Sequence, residues 1–139
     1  MSIENCPLSL EDVQAELEYI HEAAEKNLNK KTFEKALSCI DLTTLNSTDT
    51  LDSVAKFTEK VNQFPQAFPG ISNVGAICVY PNMAKAVKET LKIDRVKIAA
   101  VSGGFPSSMT FTELKIEEAR LAVAAGANEI DIVVPLWAF

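Results

Sequence analysis

Four short apolar runs rich in Val, Ile and Ala recur from Leu37 onward, with helix-patterned segments between them. The runs ALSCIDL (36–42), VGAICVY (74–80), VKIAAVS (96–102) and EIDIVVP (129–135) have strand length. Strands joined by helical crossovers must lie parallel, and a parallel sheet is covered on both faces, which suits runs that are apolar almost throughout. The pattern therefore predicts an α/β fold of parallel βα repeats. Any polar residue inside such a run needs a physical reason.

Between the first two runs, Leu51, Val54, Ala55, Phe57, Thr58 and Val61 give a helix a broad apolar face. A second, short helix, MAKAVKETLK, begins just after Pro81 and Asn82. In the third, Thr110 and Glu113 have capping-box spacing, and Gly126 stands where a left-handed C-terminal residue is expected. Ahead of the repeats, Leu10, Val13, Leu17, Ile20 and Ala24 line one helical face, opened by a Ser9–Asp12 capping box. A polar break over 27–31 and a short helical piece over 32–36 follow. The expected organisation is a helical extension over 1–36 and βα units over 37–139.

A net charge of -6, with lysines spread among glutamates, opposes nucleic-acid binding, which needs clustered cations. No run approaches the roughly 18 apolar residues of a membrane span, and MSIENCPLSLEDVQ lacks the order of a secretory signal, so a cytoplasmic protein is expected. Cys6, Cys39 and Cys78 are far apart and form no C-x-x-C pair, which predicts reduced thiols. His21 flanks the first helical stripe, remote from other candidates, so neither a His-based nucleophilic site nor a metal cluster is supported.

Strand alternation puts Ile130, Ile132 and Val134 on one face and Glu129, Asp131 and Val133 on the other. With helices over the Ile face, Asp131 points away from them; it is either a satisfied structural carboxylate or a working acid. Asp41 closes the first expected strand, beside the polar stretch LTTLN, and serves either as a turn or cap residue or at a site on the rim. Cys78 shares a face with Val74 and Ala76, as core filler or as a thiol beside a reactive carbonyl. SGGFPSS (102–108) is a glycine-permitted loop able to approach a ligand, although it matches no phosphate-binding motif, and Trp137 and Phe139, just past a strand, are expected in the core rather than in a ligand stack.

CIDLTTLN, GAICVYPNMA, KIAAVSGGFPSS and TELKIEEARLAVAAGANEIDIVVP, in this order, resemble deoxyribose-phosphate aldolase over about residues 37–139. SGGFPSS departs from the simpler G-F-P loop of the family, and the N-terminal extension is long. The resemblance implies a (β/α)8 barrel and a cofactor-free, metal-free class I lyase of deoxyribonucleotide catabolism. Such an enzyme splits 2-deoxyribose 5-phosphate into acetaldehyde and glyceraldehyde 3-phosphate through a lysine Schiff base. It assigns Asp131 to proton relay, Asp41 and Thr43 to its supporting polar network, and Cys78 to the substrate's surroundings.

A barrel of this type needs about 250 residues, and four βα units supply half of one. The family's Schiff-base lysine, its partner lysine and its phosphate loops belong to later strands, so this chain alone is expected to be inactive. Lys97 opens its strand at the opposite rim, and Lys56, Lys60, Lys85, Lys88, Lys92 and Lys115 fall on helices expected to face solvent. Unpaired end strands predict a homo-oligomer, with two halves closing a ring about a dyad. The partner expected at the site is a small phosphorylated sugar or aldehyde; no nucleic acid or membrane is expected. Two other readings are a non-catalytic half-barrel module and another lyase on the same fold.

Overall fold

The runs at 74–80 and 96–102 become the central strands of a four-stranded parallel sheet ordered β1-β2-β3-β4, as along the chain. A computed structural model describes residues 9–138. The strands are β1 (Asp41–Thr43), β2 (Ala76–Val79), β3 (Lys97–Ser102) and β4 (Glu129–Ile132). The helices are α1 (Leu10–Glu25), α2 (Lys30–Leu37), α3 (Leu51–Ala67), α4 (Ala84–Thr90) and α5 (Thr112–Ala124), with 3₁₀ turns at Pro81–Met83 and Leu136–Ala138. By contact the chain divides into two units, Met1–Lys35 and Ala36–Phe139.

Within the first unit, Ser9 caps α1 as its spacing predicts: the Asp12 N–H donates to Ser9 Oγ at 3.0 Å, and the Ser9 N–H returns to Asp12 Oδ2 at 2.9 Å. None of the α1 side chains is buried. Leu10, Val13, Leu17 and Ile20 stand exposed along its apolar stripe, and His21 is exposed beside them.

Parallel crossovers dictate the core of the second unit. Val54 and Val61 of α3, Val87 of α4 and Ala122 of α5 pack on Ile77 and Ile98 of the sheet. Fully burying each of these Val and Ile side chains contributes about 1.5–3 kcal/mol. Polar groups entering this layer are satisfied: Asn73 donates to Val61 O at 2.8 Å and accepts from the Val74 N–H at 2.9 Å. The opposite sheet face carries a smaller cluster of Ala76, Cys78, Ala99 and Val101, against which Leu45, Tyr80 and Phe105 pack.

Two boundaries differ from expectation. The strand expected over 36–42 is only Asp41–Thr43, because α2 continues to Leu37 and bonds from Cys39 N–H to Ala36 O and from Ile40 N–H to Leu37 O keep the backbone coiled. Asp41 therefore opens β1 rather than closing it. Gly75 lets that turn lie against β2, since a Cβ there would meet Ser38 O at 2.9 Å. Meanwhile α5 starts one residue late for a Thr110 cap: Phe111 is its N-cap, without a side-chain hydrogen bond. Among the described residues, no helix is long and apolar enough to cross a membrane.

Candidate functional site

Sheet register decides which side chains can meet. Asp41 is level with Ala76, and Ala76 with Lys97; Thr43 is level with Cys78, then Ala99, then Glu129; Val101 is level with Asp131. Side chains two apart on a strand share a face, so these residues share the face turned away from the helices. Asp131, Asp41, Thr43 and Cys78 are thus brought to one surface, at three successive levels of the sheet. Val74 is not among them, for it lies before β2 and packs in the helix-side core.

Cys78 stands between the two carboxylates and is 3% exposed. Burial pushes its thiol pKa up, the Asp131 charge adds to the rise, hydrogen bonding with Thr43 opposes it, and the Asp41 charge adds again. All three partners therefore lie within electrostatic or hydrogen-bonding reach of one sulfur. The Thr43 hydroxyl also donates to Asp41 O at 2.8 Å, tying the two β1 residues together. Asp131 itself is exposed, as is most of β4, so the burial penalty that makes an inward acid costly does not arise in this chain.

The polar stretch after β1 is occupied by its own turn. Thr44 Oγ1 donates to Asp49 Oδ2 at 2.7 Å and the Asn46 N–H to the same oxygen at 3.1 Å. The Thr44 bond, above all, holds the Asp49 carboxyl below its ordinary value, against a smaller opposing effect of desolvation. Asp49, which carries no distinguishing signal in the sequence, thus organises this turn.

Tyr80 and Phe105 carry no sequence signal that marks them as site residues. Their rings pack edge to face at 6.2 Å over the small cluster that contains Cys78. Lys97 shares the inner face and opens β3 at the level of Asp41, two levels away from Asp131, where it is exposed. Lys115 does not simply face solvent: its Nζ donates to Ser108 Oγ at 2.6 Å. Trp137 is 66% exposed rather than core, and Phe139 lies outside the described residues. Cys39 and Cys78 are free thiols; Cys6 also lies outside the described residues.

Parallel βα units with polar groups gathered on the face away from the helices define part of a (β/α)8-barrel protein. The DeoC/LacD family aldolase profile matches residues 35–138, and the chain belongs to that family. A Caenorhabditis elegans protein provisionally named a deoxyribose-phosphate aldolase is 41% identical over 128 residues, covering 89% of this chain and 41% of its own length. A solved aldolase, QR15, superposes with a TM-score of 0.63 at 31% identity, over 74% of this chain and 42% of its own. The tetrameric deoxyribose phosphate aldolase of Aeropyrum pernix superposes at 0.60 with 25% identity, over 76% of this chain and 41% of its own. The chain spans about two fifths of the length of these relatives.

Proposed function

We propose that this chain supplies the first half of a deoxyribose-phosphate aldolase site, in which 2-deoxyribose 5-phosphate is split reversibly into acetaldehyde and glyceraldehyde 3-phosphate. The observation that carries this reading is the convergence of Asp131, Thr43 and Asp41 on Cys78, on the face away from the helices. In the complete site a lysine amine on a later strand attacks the substrate aldehyde and loses water to give an iminium, which accepts the electrons of the breaking carbon–carbon bond. Asp131 carries protons between the substrate oxygen, the carbinolamine and the enamine carbon. Asp41 and Thr43 orient the polar network, and Cys78 lies beside the substrate. Among the strands of this chain the one lysine is Lys97, which opens β3 two levels of the sheet away from Asp131, so the chain alone does not form the Schiff base.

The test joins this chain to the part of the Caenorhabditis elegans relative that follows its matched region. Cleavage of 2-deoxyribose 5-phosphate should appear in the fusion, and Asp131→Asn should lower turnover by about 10²-fold. Undiminished turnover in the variant removes the proton-relay role. The unfused chain, treated with acetaldehyde and borohydride, should gain no mass; a stable adduct would mean that a competent lysine lies within it.

A further inference from the structure

The loop joining β3 to α5 is held from outside the sheet, although one of its residues sits on the inside. Ser102, at the end of β3, is 1% exposed and turned toward α5. There Glu118 Oε2 accepts from Ser102 Oγ at 3.3 Å and from the Gly104 N–H at 3.0 Å. Three residues earlier on the same helical face, Lys115 Nζ donates to Ser108 Oγ at 2.6 Å. Ser108 is itself 1% exposed with φ 57, and its N–H closes the loop on Gly104 O at 2.8 Å. Gly103 and Gly104 also have positive φ (78 and 74), and a Cβ on Gly104 would lie 2.7 Å from Thr110 Cγ2. The loop is thus pinned at both ends by neighbouring turns of one helix, and Phe105, directly after the Glu118-bound amide, packs with Tyr80 in the cluster containing Cys78.

We infer that Glu118 and Lys115 are positioning residues: from the outer helix they fix the 102–108 loop so that Phe105 and Tyr80 wall the inner face beside Cys78. This rests on the proposed site only in taking that face as the substrate side. Neither residue reaches the inner face. Their effect passes through the Gly104 amide and the Ser108 hydroxyl to the Phe105 ring, and so sets how much room a small molecule finds next to Cys78.

Alkylation of Cys78 by iodoacetamide under native conditions reads this directly, in the full chain with Cys6→Ser and Cys39→Ser. Glu118→Ala should raise the rate about ten-fold, in line with loss of a hydrogen bond to a charged group. Glu118→Gln, whose amide oxygen still accepts from Gly104, should stay within about two-fold of the parent. Phe105→Ala should give the same increase, and Glu118→Ala with Phe105→Ala together should add nothing further, because both act through one ring. If Glu118→Ala lowers the melting temperature but leaves the rate unchanged, or if the two effects multiply, the inference is overturned. Should Glu118→Ala fail to fold, Lys115→Met in the same cycle decides the question by the same criteria. No step uses a lysine Schiff base, so an inactive fusion would count against the aldolase reading while leaving this result intact.

Discussion

Cys78 is a neutral thiol by circumstance: it is buried, and two carboxylates oppose its ionisation. Because folding raises this pKa, the folded chain holds the thiol proton more tightly than the unfolded chain does. The stability this contributes is complete below the ordinary thiol value and is lost as pH climbs through the raised one. Denaturation midpoints measured across the alkaline range should therefore fall, and Cys78→Ala should flatten that part of the curve. The pH midpoint of Cys78 alkylation should move down in Asp131→Asn and less in Asp41→Asn, following the order of the two charges around the sulfur. Asp131 and Cys78 were legible from strand alternation, whereas Asp41 and Thr43 came from the family resemblance, because the expected first strand ended at 42 and the observed one begins at Asp41. Glu118 was not: its bonds reach back 16 and 14 residues to Ser102 and Gly104, and nothing local in KIEEAR marks one glutamate as different.

Helix α5 ends as its sequence says and begins otherwise. The Ala127 N–H reaches Ala122 O at 3.1 Å and the Gly126 N–H reaches Val123 O at 3.0 Å, with Gly126 at φ +110, a Schellman closure. Gly126→Ala should cost about 1–2 kcal/mol in a denaturant titration, from the unfavourable backbone alone, because an L side chain resists that φ. A Cβ there would also crowd the Lys88 side chain at 2.9 Å. The opposite change is available at the other end. Phe111→Ser supplies the missing cap and should raise stability by about 1 kcal/mol. Strands β2, β3 and β4 were legible because their burial is two-sided or their alternation clean. The first was not, since apolar residues at 36–40 fit the end of an amphipathic helix as well as a strand, and the hydrogen bonds of the α2 exit decide between them. Thr110 has the composition of a cap but the wrong offset, and its methyl packs against Gly104 instead.

At the scale of the molecule, the sheet has two outer strands, β1 and β4, each paired on one side only. Ile132 is 65% exposed, and Trp137 lies exposed a few residues further on. Such an edge favours association. Light scattering after size-exclusion chromatography should find a discrete dimer, and Ile132→Lys should shift it toward monomer without changing the melting temperature by more than a few degrees. A polydisperse aggregate, or an unaltered dimer in the variant, would show that the edge is not the contact. The strand order has a further consequence for synthesis. Each strand lies beside the one before it, and no later strand must wedge between earlier ones. A ribosome can therefore lay this sheet down vectorially, every emerging segment finding its neighbour already in place, and growth proceeds from the open β4 side without dismantling what has formed.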